Sequence, residues 1–407
     1  MEPILHEWGS LLLRWTHIIA GMAWIGSSFY FMHLDASLKA TPDIPAGKGG
    51  EAWEVHGGGF YQVKKYLVAP SFLPEELGWH KWQSYATWLT GFFLLIWIYY
   101  YKSSIYLIDP AVMNLKPFVA FVIGMGGLAL GWVAYDQLCR SRLGNNPMAV
   151  GVIVFVGVVL AAYLFQQVFS ARAAFIHTGA LMATIMSGNV FFVIIPNQHK
   201  VVAALKAGQV PDPYYGKTAK LRSGHNNYFT LPVVFLMISN HYPLTYSTPY
   251  AYVIVALSLV VGTVIRYYYN ERHAGRGDKA WCWLVAAVCL ILAIAISATT
   301  TPMGRTALGL PPLVSVAYAR SGPPVEVPDD VANIVMGRCS MCHASEPLYE
   351  GIVIAPRGVL LDTPEHIARN RDLIVVQAGL THAMPPNNIT ELSQEDREVL
   401  KAWGAGK

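Results

Sequence analysis

Long apolar runs fill the first three quarters of the chain, and polar residues are confined to the breaks between them. Eight runs lie at approximately 10–33, 83–101, 117–138, 148–169, 173–195, 227–242, 249–269 and 280–299. Each approaches the roughly 20 residues that a helix needs to cross a bilayer. The sixth is the weakest, because only 229–241 is mostly apolar, which predicts a tilted or broken helix. Beyond Thr300 the pattern changes. Pro302, Pro311, Pro312, Pro323, Pro324 and Pro328 punctuate a stretch that reads as an extended, semi-rigid linker. From Asp329 onward apolar and polar residues mix as in a small soluble helical domain. Ser393 is placed to cap a last helix, with Glu395 and Asp396 on the positive end of its dipole. Val399, Leu400 and Trp403 then fall on one face of it. The expected architecture is all-α: a polytopic membrane bundle of about eight spans (1–300), a linker (301–328) and a C-terminal domain (329–407).

Composition agrees. Of 407 residues, 54% are hydrophobic and 13% charged, about half the charged share of a soluble domain. The net charge of +4 contains no basic tract, so nucleic acid is not an expected partner, whereas membrane lipid is. The first run begins with Glu2 and Glu7, contains Arg14 and is followed by no small-residue cleavage pattern. It reads as a retained span rather than a signal peptide. Lys and Arg set the orientation. Sixteen of them, Lys64, Lys65, Arg140 and Lys220 among these, lie in the loops after the first, third, fifth and seventh runs. The loops between hold three: Lys102, Lys116 and Arg172. That bias puts the odd-numbered loops in the cytoplasm and both termini outside.

The densest chemistry is Cys339-Ser340-Met341-Cys342-His343, the attachment pattern of c-type haem. The two thiols add to the vinyl groups at one haem edge, and the short loop leaves His343 beneath the iron. Met384 follows 41 residues later. Its thioether is the usual sixth ligand opposite histidine, a pairing that raises the reduction potential. Pro385 and Pro386 hold the methionine loop extended. Pro356 lies where a backbone carbonyl would hold the histidine ring. A zinc or redox pair is the competing reading of the two cysteines, but no second CxxC completes a four-ligand zinc site. Haem c is attached outside the bacterial cytoplasm, which agrees with the charge bias and places the chain in the inner membrane. Cys139, Cys282 and Cys289 lie in or near apolar segments and read as packing thiols.

Within the bundle, ionisable residues are functional candidates by default. His17 and His33 are separated by roughly 24 Å along one helix and about 160° around it, so they do not share a metal. His17 and His177 lie at similar depth, and a b-type haem between them stands against the plainer reading of histidines hydrogen-bonded within the bundle. Two breaks carry more. His56-Gly57-Gly58-Gly59-Phe60-Tyr61 is a glycine-rich loop able to approach a ligand closely. Arg222, His225, Asn226, Asn227 and Tyr228 place a planar cation, amides and an aromatic ring just before the sixth run. Those types suit a flat anion, and a helix N-terminus favours one too. Solvated loops with lysines as topology signals are the bland alternative.

Several stretches together resemble a known family: WTHIIAGMAWIGSSFYFMHLD, HGGGFY followed by KKY, IIPNQ, KLRSGHNNYFTLPVVFLMISNHYP, and the CSMCH segment ending MPPNNITELSQEDREVLKAW. The chain resembles the bacterial membrane-bound urate oxidases (urate hydroxylases) that carry a fused C-terminal class I cytochrome c domain. The resemblance implies oxidation of urate to 5-hydroxyisourate, with water supplying the oxygen. Two electrons pass to one covalent haem c, and then to a soluble or membrane cytochrome or a terminal oxidase. With a urate substrate, the residue types read above put Arg222, His225, Asn226, Asn227 and His56 at the urate site, Cys339 and Cys342 on the haem, and His343 and Met384 on its iron. A quinol-oxidising or oxidase-associated membrane cytochrome without purine chemistry is the competing function. A transporter with a fused sensor is weaker, since no inverted repeat is visible.

Overall fold

The computed structural model describes the chain except residues 1, 45–48, 67–69, 71–72, 102, 110–111, 247, 300–308, 310–325, 350–351, 353–354, 357–358, 381–383 and 405–407. All eight apolar runs are helical. They form α1 (Glu2–Ser37), α2 (Trp82–Leu95, prolonged by a π turn over Ile96–Tyr100), α3 (Pro117–Arg140) and α4 (Pro147–Gln166). Then come α5 (Ala171–Lys206, wound as π helix over Asn189–Ile194), α6 (Pro213–Ile238), α7 (Ala251–His273) and α8 (Trp281–Ala298). Among the described residues five of these, α3, α4, α5, α7 and α8, are long and apolar enough to cross a membrane. The other three fall short for separate reasons. Trp, Tyr, His, Ser and Gly dilute the hydropathy of α1. In α2, which reaches Tyr100 with its π turn, Gln, Ser, Thr, Trp and Tyr lower the hydropathy. The first half of α6 carries Lys217, Lys220 and Arg222.

Local chemistry explains the ends. Asn146 caps α4 by accepting the N–H groups of Met148 and Ala149, each at 3.1 Å, and Pro147 fits the first turn because its missing N–H would be unpaired there. Asp136 and Arg140 pair one turn apart at the end of α3, at 2.6 Å, with the cation on the negative end of the dipole. Of the five apolar helices α5 is the most enclosed, with 67% of its apolar window buried against 17% for α8.

Three expectations change. First, the fifth helix does not end with its apolar run at 195, because α5 runs on through Pro196-Asn197-Gln198 to Lys206. Pro196 crowds the carbonyl four residues back, and the wider π turn just ahead of it provides the room. Second, α6 begins at Pro213, capped by the Asp212 carboxylate accepting the Tyr214 N–H at 2.8 Å. Arg222 to Tyr228 therefore lie inside a helix rather than ahead of one, and the argument from a helix N-terminus lapses. The Lys-Thr-Ala-Lys-Leu-Arg run consists mostly of good helix formers, which carries the helix well beyond the apolar part. Third, the structure is not purely α. Strands β1 (Gly49–His56) and β2 (Gly59–Tyr66) pair antiparallel as a hairpin. Gly57 and Gly58 form its turn with φ of 59° and 81°, the left-handed pair that a two-residue turn requires. The glycines serve the turn, and His56 stands exposed beside it.

The chain divides into two compact units, one of residues 1–94, 180–233 and 259–288, the other of 95–179, 234–258 and 289–407. In the first, Pro232 of α6 meets Gly262 of α7, where a Cβ would stand 2.4 Å from the proline ring. In the second, the C-terminal helices α9 (Asp329–Arg338) and α10 (Gln394–Gly404) pack against each other over a core of Val331, Val335, Ile367, Leu400 and Trp403. Ser393 caps α10 as expected. Its hydroxyl accepts the Asp396 N–H and its own N–H donates to the Asp396 carboxylate, both at 3.0 Å, the reciprocal arrangement of a capping box. The proline-rich linker lies outside the described residues apart from Gly309 and 326–328. Among the described residues all five cysteines are free, with Cys282 and Cys289 buried and Cys139 half-buried.

Candidate functional site

In the first unit, α6 carries Arg222 and Asn226 one turn apart, so they share a face. Both are buried, Arg222 to 1% exposure. Arg222 Nη1 donates to Asn189 Oδ1 at 3.0 Å, Asn189 Nδ2 to Asn226 Oδ1 at 2.9 Å, and Asn226 Nδ2 to the Met186 carbonyl at 3.0 Å. Asn189 is the residue at which α5 winds into its π turn. Such single-turn π segments re-aim side chains and recur at functional sites. The cluster thus holds a buried planar cation with two amides.

The remaining residues of the run turn elsewhere. Asn227 lies about 100° further round the helix and faces α7. Its Oδ1 accepts from Arg266 Nε at 2.8 Å, and Asn270 reaches both Asn227 and the Tyr228 hydroxyl at 3.4 Å. Arg266 lies over the Phe29 ring, 3.9 Å from its centroid. His225 is half-buried, about 60° round the helix from Arg222 on the side away from Asn227. Asn189, Arg266, Asn270 and Phe29 were missed from the sequence. The signal for Asn189 and Arg266 is a polar side chain inside an apolar run, a costly place for it in a membrane helix; Asn270 lies one residue past its run.

The bundle histidines are engaged. His17 Nδ1 lies 3.0 Å from the Thr87 carbonyl and from the Thr90 hydroxyl, and Gly91 gives the ring its room. In the second unit His177 is fully buried. Its Nδ1–H donates to the Ala173 carbonyl at 2.8 Å, and its Nε2 accepts from the Tyr100 hydroxyl at 2.7 Å. Phe165, Phe169, Tyr99 and Tyr100 close round the ring. A Cβ on Gly124 would already stand 3.1 Å from Nε2. With both ring nitrogens engaged and no gap beside them, His177 does not fit the axial position of a b-type haem. It reads as a hydrogen-bonded core residue.

The Cys339–His343 segment does fit a c-type haem. His343 Nδ1–H donates to a backbone carbonyl at 3.0 Å, which leaves Nε2 for a metal, the usual outer-shell arrangement. The carbonyl belongs to Val359, not to Pro356 as expected. Pro356 instead accepts the Val359 N–H at 3.3 Å. Burial holds the His343 pKa below its ordinary value, the hydrogen bond to Val359 opposing, so the ring is neutral. Burial, with Cys342 adding to it, pushes the Cys339 thiol up to about 12. A redox CxxC pair works with a lowered thiol pKa, the opposite direction. Met384 packs against the core of this domain. Its N–H donates to the Gln377 carbonyl at 2.8 Å, and its own carbonyl accepts from Arg397 at 3.0 Å. The Gln377 side chain in turn donates to Asp109, in the segment between α2 and α3, at 3.2 Å. The turn Pro386–Asn388 packs against Ser103–Tyr106 of that same segment.

Asp362 fastens the loop that carries His343. Its carboxylate accepts from the Ser345 N–H at 2.8 Å, the Ser345 hydroxyl at 3.0 Å and the His366 ring at 2.7 Å. Burial opposes its charge, but these bonds outweigh burial and hold the carboxyl at about 2. A depressed carboxylate stabilises the fold above its unfolded value, near 3.9, and that contribution is lost as pH falls through about 2. Asp362→Asn should therefore lower the stability of this domain by about 1–3 kcal/mol at neutral pH. It should also flatten the acid limb between pH 4 and 2. Denaturant titration of the intact protein at both pH values, read from the domain's absorbance, measures both effects.

A family model described as urate oxidase N-terminal matches residues 3–297. The chain belongs to the urate oxidase N-terminal family. No curated protein and no solved structure among those compared matches it. The family span contains both guanidinium clusters and ends before Cys339, so the C-terminal domain is read from its own residues. Membership makes an oxidoreductase acting on urate, with several helices suited to a membrane, the coarse reading of the chain.

Proposed function

We propose that the protein is a membrane-bound urate oxidase of the bacterial inner membrane that delivers its electrons to a c-type haem on its own periplasmic C-terminal domain. The carrying observation is the coincidence, within one family span, of an apolar helix bundle and the buried Arg222–Asn189–Asn226 cluster. The reaction is urate plus water giving 5-hydroxyisourate, two protons and two electrons. Urate at neutral pH is a planar anion with carbonyl oxygens and ring nitrogens along its edges. Arg222 offers a planar fork to that anion, Asn189 and Asn226 offer amides to its edge, and His225 is placed to take a proton as water adds. Arg222 is sealed from solvent, so entry requires part of the wall to give. The π turn beginning at Asn189 is the irregular stretch of that wall.

Cys339 and Cys342 would hold the haem, and His343 and Met384 its iron; the bound group accepts one electron at a time, so each urate needs two transfers. The Asp109–Gln377 bond and the packing of Pro386–Asn388 support a C-terminal domain on the same side as the α2–α3 segment, as the charge bias requires of a periplasmic tail. A respiratory cytochrome or terminal oxidase is the acceptor this arrangement serves. The test is anaerobic addition of urate to the purified protein. Growth of the reduced haem spectrum is expected, and reduction by quinol alone would instead favour an electron-transfer module without purine chemistry. Met384→Ala should keep the haem covalently attached while lowering its potential, measured by redox titration. An unchanged potential would remove Met384 from the iron.

A further inference from the structure

Among the described residues, one face of the β1–β2 hairpin has no protein against it. Cross-strand partners share a face, and Trp53–Gln62 and Val55–Phe60 are such pairs. Trp53, Val55 and Phe60 are 62%, 69% and 78% exposed, an apolar row at the tip. The opposite face is occupied: Ala52 is buried and Glu54 accepts from His33 of α1 at 3.2 Å.

Contacts with α1 fix the direction in which this row points. Lys39, two residues past the end of α1, exchanges backbone hydrogen bonds with Glu51, both at 2.9 Å. Lys65 pairs with Asp35 and Glu54 with His33. From Glu51 to Glu54 the strand climbs about 10 Å, and from Ser37 to His33 α1 descends about 6 Å, with the non-helical Leu38 and Lys39 adding to that. The hairpin therefore lies back along α1, and its turn reaches about 7 Å beyond His33. The level of His33 is marked independently. Its ring meets that of His273, the last residue of α7, at 4.6 Å. Within one to two turns of His273 stand Tyr267, Tyr268 and Tyr269, in ring contact with Trp281 and Trp283 at the start of α8. Trp281 and Trp283 are 53% and 46% exposed. Tyrosine and tryptophan gather in this way where a spanning helix leaves the hydrocarbon.

The geometry points to the hairpin tip as a membrane anchor, with Trp53, Val55 and Phe60 set among the lipid headgroups and upper acyl chains beside the aromatic ends of α7 and α8. Interfacial elements bury their apolar face about 5–10 Å, the reach this hairpin has past His33. Lys64 and Lys65 are paired with Asp43 and Asp35, so the attachment is apolar rather than selective for anionic lipid. The inference rests on the membrane reading of the bundle, and one experiment separates the two. Phe60→Cys, and in a second protein Leu284→Cys on the exposed side of α8, each with Cys139→Ser, are labelled with a fluorescent probe. Both are reconstituted in phosphatidylcholine nanodiscs with or without lipids carrying an acyl-chain nitroxide. Loss of emission at both sites with nitroxide lipid, and shielding of the Phe60 site from iodide, is expected. Quenching of the Phe60 site by iodide alone puts the tip in water, and quenching by neither puts it against protein, such as a second copy. Either result overturns the anchor while Leu284 still reports lipid. An unquenched Leu284 site overturns the membrane reading and the anchor with it.

Discussion

Cys339→Ser with Cys342→Ser should abolish covalent haem and, with it, urate-driven electron delivery, while leaving the family part of the chain folded. The two thiols are the only attachment that the C-terminal domain offers by the c-type pattern. His343 and Met384 alone would leave a haem to dissociate. The domain core of Val331, Val335, Ile367, Leu400 and Trp403 does not involve the thiols directly, and Cys339 only packs against its edge. The intact variant in detergent should therefore keep its helical circular dichroism and lose the covalent haem stain after denaturing electrophoresis. Urate turnover with an artificial acceptor of small size is the informative control. If the bundle oxidises urate and the haem only collects electrons, turnover with that acceptor persists and delivery to cytochrome stops. Retention of a covalent stain would place the attachment elsewhere and overturn the assignment of this segment.

How far the sequence reached differs between the two halves of the argument, for physical reasons. Apolar runs of about 20 residues report helices directly, because a helix pairs its backbone groups within its own segment; all eight runs are helical. Polar segments carry no such constraint. The stretches around Pro196 and Lys217 are polar and lie outside the apolar runs, yet helix propensity carries α5 through the first, and propensity with the Asp212 cap starts α6 ahead of the second. His56 looked like a ligand residue because glycine clusters suit ligand approach and tight turns equally, and only the strand pairing from Gly49–Tyr66 to His56–Gly59 decides for the turn. Arg222 and Asn226 were legible by type and by i, i+4 spacing. Their partner Asn189 lies 33 residues away on another helix, and only packing brings it there. The Val359 carbonyl, rather than that of Pro356, meets His343 because the path of a loop, not its sequence, sets which carbonyl faces a ring.

Arg222→Lys should impair urate turnover by roughly 10- to 150-fold, the equivalent of about 1.5–3 kcal/mol for a hydrogen bond to a charged group. Lysine keeps the charge but lacks the planar fork, so the loss would report geometry. The structure changes what the competing explanation must be. At 1% exposure Arg222 is not an anchor at the membrane surface, so the alternative is a purely structural tie between α5 and α6 through Asn189. Stability alone does not separate the two, because breaking a buried polar cluster destabilises on either account. Binding linkage does. A ligand that binds only the folded protein raises its stability in proportion to ln(1 + [L]/Kd). Urate should raise the melting temperature of the wild-type protein, and Arg222→Lys should lose most of that rise. Asn189→Ala removes the amide that holds the guanidinium while keeping the guanidinium itself. It should lower the melting temperature in the absence of urate and retain part of the urate-dependent rise. If instead Arg222→Lys melts early yet keeps the full urate-dependent rise and normal haem reduction, the α5–α6 cluster is structural. The search then moves across α6 to the second buried guanidinium, Arg266, with Asn227, Asn270 and the face of Phe29 around it.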